Sequence, residues 1–127
     1  MLDTHILIWA LAEPGRLRPR MRGAVASPSN QVWISAATAW EIAIKHAAGR
    51  LTFPVADFDD MLQRTGFEPL AIQPMHAIVA GGLPWLHDDP FDRMLIAQAL
   101  TERMTLVTMD DRIRAYDVPV LSPDDED

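Results

Sequence analysis

Short apolar runs alternate along the chain with stretches in which apolar residues recur every three to four positions, the spacing of one helix face. Met1-Leu2 has only the length of a strand stub. Thr4 offers a side-chain cap to a short helix over residues 5–11, which Glu13-Pro14-Gly15 breaks. Leu17, Met21 and Val25, four apart, predict a second short helix from Pro19, a residue whose fixed φ suits the first helical turn. Val32-Trp33-Ile34 reads as a buried strand, and Ser35 then caps a helix over residues 36–48 closed by Gly49. A helix over residues 57–65 stops at Gly66, a strand follows near 68–72, and Pro74 opens a helix that stops at Gly81-Gly82. Residues 90–103 make the strongest helix, followed by a strand over 105–108, a helical turn over 111–115 and a last strand over 118–121.

Strands alternating with helices predict an α/β fold, a parallel sheet covered on both faces. Such sheets take ligands beyond the carboxyl ends of their strands, so the residues standing there are the ones to inspect. With 127 residues the chain makes one domain, over 1–121, and a short acidic tail, 122–127.

Four acids fall at that edge or face it. Asp3 follows the first stub directly, and Asp110 follows the strand at 105–108 by two residues. Either one alone is also a common turn former or cap, and Asp111 competes with Asp110 for the role. Asp89 before Pro90 is a helix cap. Asp92 falls where a capping-box acid sits, yet it shares its helix face with Leu95, Ile96 and Ala99, the face turned to the sheet. Glu41 shares its face with Ala37, Ile44 and Ala48, although a plain surface pair with Lys45, one turn on, accounts for it equally well. Taken together the four imply one site. Clustered carboxylates repel unless cations neutralise them. An all-oxygen set suits Mg²⁺ or Mn²⁺, the ions of metal-assisted phosphodiester hydrolysis.

The formal charge of −7 argues against a nucleic-acid substrate until its distribution is considered. Asp124, Asp125, Glu126 and Asp127 carry four of the negative charges in the tail, leaving −3, and withdrawing the four site acids leaves a surface near +1. Arg16, Arg18, Arg20 and Arg22 are candidate phosphate contacts, with a solvated face as the alternative. Trp85, in the loop GGLPWLHDD, is a candidate for stacking on a base, or else a loop anchor. The four histidines show no zinc-ligand spacing, no Gly-rich phosphate loop occurs, and the serines lack a nucleophile-elbow context. Without cysteine there is no disulfide framework, which fits a reducing, cytoplasmic setting. Asp3 comes too early for a secretory leader, and the longest apolar run, residues 6–12, is far too short to span a bilayer, so no membrane partner is expected.

The stretches LDTHILIWAL, ISAATAWEIAIKHAAGRL, HDDPFDRMLIAQAL and TLVTMDDRIRAYDV resemble the PIN-domain family, and within it the VapC ribonuclease toxins of toxin–antitoxin pairs. The resemblance runs to about Leu121. It implies a three-layer α/β/α sandwich with a mostly parallel sheet, and a Mg²⁺- or Mn²⁺-dependent endoribonuclease. Asp3, Glu41, Asp92 and Asp110 match the family's acids, with Asp3, Asp92 and Asp110 holding metal, and Thr4, Ser35 and Thr108 match its supporting hydroxyls. The partners it implies are an RNA substrate, a cognate antitoxin protein and a second copy in a homodimer. Two departures stand out: only Met1-Leu2 precede the first acid, and position 88 is Asp where a basic residue is common. A non-cleaving PIN-like module that binds RNA or protein is the rival reading, and a phosphatase a further one.

Overall fold

The computed structural model describes residues 1–122, so the expected acidic tail, apart from Ser122, lies outside the described residues. The order is α1 (Thr4–Ala12), α2 (Pro19–Ala26), β1 (Trp33–Ser35), α3 (Ala36–Ala47), α4 (Phe58–Thr65), β2 (Glu68–Leu70), α5 (Pro74–Gly82), α6 (Pro90–Glu102), β3 (Leu106–Val107) and β4 (Val120–Leu121), with short 3-10 turns between some of them. Each element expected from the pattern is present, with β1 shifted by one residue and the other three strands two residues shorter.

β1 pairs with β2 and β3 with β4, all parallel. The stub Met1-Leu2 joins the two pairs. Leu2 N–H donates to Trp33 O at 3.2 Å, while Val107 N–H donates to Met1 O at 2.8 Å and Asp3 N–H to Val107 O at 2.9 Å. The strand order is therefore β2–β1–stub–β3–β4. Successive strand residues point to opposite faces, and the core divides accordingly. Leu2, Ile34 and Val107 pack with Ile6, Leu7, Met21 and Leu62 of α1, α2 and α4. Met1 and Leu106 pack on the other side with Leu95, Ile96 and Ala99 of α6. Helices thus cover both faces of a thin central sheet, with α5 packed on α6. Among the described residues no helix is long and apolar enough to cross a membrane.

One cap differs from expectation. The side chain that caps α1 is Asp3, which accepts from Ile6 N–H at 2.9 Å, not Thr4. The ladder decides this. Asp3 N–H is still bound to Val107 O, so Asp3 remains extended and Thr4 becomes the first helical residue. The Thr4 hydroxyl is thereby free to turn toward α3.

Candidate active site

A cleft of about 320 Å³ opens at the carboxyl edge of the sheet, lined by Asp3, Glu41, Asp92 and Asp110 together with Asp89, Lys45 and Arg112. Four separate elements deliver the four acids: the end of the stub, the middle of α3, the first turn of α6 and the loop after β3. Asp111 is exposed and does not line the cleft. A larger hollow, about 1130 Å³, lies at the opposite edge against Met1, Val32 and Thr105. Size does not locate the chemistry here.

Asp3 is buried, and its contacts are neutral: Ile6 N–H on Oδ1 and the Thr108 hydroxyl on Oδ2. Burial pushes its carboxyl up, against the pull of those two donors. Glu41 is also buried. Its Oε1 accepts from the Thr4 hydroxyl, and its Oε2 lies 2.6 Å from Lys45 Nζ. The helix pair with Lys45 and the site position, alternatives in the sequence, coexist. Asp92 makes no capping box. Asp89 caps α6 by itself, accepting from Phe91 and Asp92 N–H at 2.8 and 3.1 Å, which leaves the Asp92 carboxylate to face the cleft. Burial first, and then the charge of Asp89, push Asp92 up to about 6, with His87 pulling the other way. Asp110 is shifted oppositely: burial raises it, but the hydrogen bonds and charge of Arg112 outweigh burial and hold its carboxyl below the ordinary range.

His87 ties two of these acids together, and the sequence reading assigned it no role. It is buried, with Nε2 at 2.9 Å from Asp92 Oδ2 and 3.2 Å from Asp110 Oδ2. Its Nδ1 accepts the Asp89 backbone N–H at 3.4 Å, so Nε2 is the ring nitrogen that donates to the two carboxylates. Arg93, buried below, fixes the loop that carries His87. It donates to the carbonyls of Ala80, Leu83, Pro84 and His87 and to the Tyr116 hydroxyl.

The other expected site residues are spread more widely. Thr4 and Thr108 contact Glu41 and Asp3, and Thr108 Oγ1 also accepts Asp110 N–H at 3.0 Å. Ser35 caps α3 and donates to Gln98 of α6; it does not line the cleft. Arg16 is exposed, bridged to Glu13 at 3.2 Å, with its guanidinium 4.4 Å from the ring of Trp9, a cleft residue. Arg18 and Arg22 are exposed on α2 and just before it, and Arg20 lines the hollow at the opposite edge, so the structure does not bring it to the acids. Trp85 is 71% exposed, its ring 4.2 Å from the Arg93 guanidinium, outside the cleft lining.

The donor set fits a divalent cation. Asp3 is buried and hydrogen-bonded only to neutral donors, Asp92 is pushed up beside it, and a carboxylate oxygen of Asp92 lies within 4.8 Å of one of Asp110. Desolvated carboxylates without a cation repel, and an oxygen-seeking ion removes that cost.

A sequence profile of the PIN domain matches residues 1–119. Ribonuclease VapC22 of Mycobacterium tuberculosis is 30% identical over 122 residues, 94% of this chain and 92% of that protein. The crystal structure of VapBC2 from Rickettsia felis, bound to a DNA fragment from their promoter, contains a chain of the same fold, with a TM-score of 0.69 and 17% identity over 96% of each chain. The profile spans the stub, α3, α6 and the turn after β3, and with them every acid of the cleft. The chain belongs to the PIN-domain family and resembles, within it, the VapC ribonucleases.

Proposed function

We propose that this chain is a divalent-cation-dependent endoribonuclease, the toxin of a toxin–antitoxin pair. The observation that supports it most is the convergence of four carboxylates from four elements on one cleft, with buried Asp3 hydrogen-bonded only to neutral donors. Asp3, Asp92 and Asp110 would hold Mg²⁺ or Mn²⁺. The ion would supply acidity to bound water and counter-charge to the phosphate. Thr108 orients Asp3, and Thr4 orients Glu41, by their hydroxyl donors. Glu41 Oε2, freed from Lys45, would complete the shell of the cation or take a proton from an attacking water, and His87 Nε2–H would fix one oxygen each of Asp92 and Asp110.

RNA ends mapped by sequencing after expression of wild type, Asp92→Asn and Asp89→Asn test this reading. New 5′ ends are expected with wild type and Asp89→Asn, since Asn caps about as well as Asp, and none with Asp92→Asn. Ends that persist with Asp92→Asn, or vanish equally with Asp89→Asn, would contradict the assignment of the two aspartates.

The same reading carries a homodimer and an antitoxin that brings a basic side chain, an arginine, to the acids. The exposed Trp40, at 61%, and Ile44, at 45%, on α3 support a covered face there. Light scattering should give twice the chain mass for the isolated protein, and a monomer would count against the dimer. Antitoxin binding should weaken in saturating Mg²⁺, because cation and arginine compete for the same carboxylates; binding indifferent to Mg²⁺ would oppose that placement.

A further inference from the structure

Two cations stand at the mouth of the acid cleft, each against one of its acids. Lys45 Nζ lies 2.6 Å from Glu41 Oε2. Arg112 meets Asp110 through Nε at 3.1 Å and its terminal nitrogen at 3.0 Å. They come from different elements, α3 and the turn after β3, and both line the cleft. Stability does not explain the Arg112 pair: its side chain is 68% exposed, and ion pairs so open to water contribute little to stability. The cleft lining holds five carboxylates, Asp3, Glu41, Asp89, Asp92 and Asp110, against Lys45 and Arg112. A phosphate chain approaching it therefore needs these two cations as well as the charge of a divalent ion.

A divalent ion entering the cleft competes for the oxygens that Lys45 and Arg112 now hold, with twice their charge. If Glu41 and Asp110 turned to it, an ammonium and a guanidinium would be left unpaired beside the place where a phosphate would lie. Resting on the nuclease reading above, we propose that Lys45 and Arg112 form a phosphate clamp for single-stranded RNA: counter-ions of Glu41 and Asp110 in the cation-free protein, and contacts to the RNA backbone once the cation is bound. The planar fork of Arg112 suits a phosphate bidentately, and Lys45 acts as a point charge. Lys45 and Arg112 thus replace the Arg16–Arg22 group as the principal phosphate contacts.

The test is fluorescence anisotropy of a labelled single-stranded RNA, in EDTA and in Mg²⁺ or Ca²⁺, whichever leaves the RNA intact on a gel, across a salt series. Wild type should gain affinity with the divalent ion. Lys45→Met and Arg112→Gln should each lose most of that gain and flatten the slope of log K against log salt by about 0.7, the value of one single-strand phosphate contact. In EDTA the deficit of each should be clearly smaller than in the divalent ion. Arg112→Lys should keep the slope and lose affinity. Arg64→Gln, which breaks a comparable exposed pair with Asp60 on α4 (2.8 Å), should behave as wild type throughout. Unchanged slopes in the divalent ion, or an equal deficit with and without it, would overturn the clamp, the second showing only long-range charge. Failure of wild type to cleave RNA in Mg²⁺ or Mn²⁺ is a separate measurement. It would remove the nuclease reading and the clamp with it, whereas cleavage with unchanged slopes removes the clamp alone.

Discussion

At pH 7 in chelator, Asp92→Asn should melt several degrees above wild type. Asp92 titrates near 6 in the fold against an ordinary 3.8, a gap of about two units, and each unit is worth about 1.4 kcal/mol. Part of that ceiling of ~3 kcal/mol is offset, because the charge stands at a helix N-terminus. A net gain of about 1–2 kcal/mol, or roughly 3–10 °C for a chain of this size, remains. The sign follows from proton linkage. The native state keeps the Asp92 proton to higher pH than the unfolded chain, so wild type loses stability as pH rises from about 4 through about 6. The advantage of Asn should therefore vanish near pH 4 and be complete above pH 7. Mn²⁺ should stabilise wild type by about 2.7 kcal/mol at a hundredfold excess over its dissociation constant. The two gains should not add, since both remove the same repulsion. Thermal melts of both proteins, with chelator and with Mn²⁺, across pH 4–8, check each part. An Asp92→Asn protein that melts lower in chelator, beside a wild type indifferent to Mn²⁺, would leave Asp92 as only a helix-start acid.

Arg93→Met should cost on the order of 3 kcal/mol, about 10 °C or more in melting temperature, although Arg93 does not line the acid cleft. The side chain is 4% exposed and serves five acceptors: Ala80 O at 2.8 Å, Leu83 O at 3.0 Å, Pro84 O at 3.1 Å, and His87 O and the Tyr116 hydroxyl at 3.4 Å each. Methionine fills the space but donates nothing, so buried carbonyls lose their partner. The loop over residues 83–89 would shift, and with it the His87 bridge between Asp92 and Asp110. Activity should therefore fall together with stability. Arg93→Lys should recover only part of the loss, because one ammonium cannot span the fork. A melting temperature within a degree of wild type for Arg93→Met would show that the loop is held by other contacts.

How much of this was legible in the sequence depends on how local the signal is. The alternation of helices and strands, the caps at Ser35 and Asp89 and the stops at Gly49 and Gly66 are set by residues a few positions apart, and these features are all present in the fold. The cap of α1 was not, because Asp3 and Thr4 are both competent caps and only the hydrogen bond from Asp3 N–H to Val107 O decides between them. His87 stood beside the conspicuous aspartates without any ligand spacing. Its role depends on a loop path enforced by Arg93 and by Tyr116, 23 residues further on. Periodicity does not encode such a path. Glu41 was ambiguous for another reason: one carboxylate has two oxygens, and the structure uses one for Thr4 and the other for Lys45. The arginines at 16–22 are a sequence cluster that the fold disperses, with Arg20 at the opposite sheet edge and Arg16 over Trp9.

The central claim is that Asp3, Glu41, Asp92 and Asp110 act as one cation-dependent centre for RNA cleavage. Incubation of purified wild type and Asp92→Asn with single-stranded RNA, each in EDTA, Mg²⁺ and Mn²⁺, with products resolved on a gel, tests it most directly. Cleavage by wild type in Mg²⁺ or Mn²⁺, none in EDTA, and a loss of at least a hundredfold in Asp92→Asn are the predicted results. Undiminished cleavage by Asp92→Asn, or cleavage by wild type that EDTA leaves untouched, would contradict the claim.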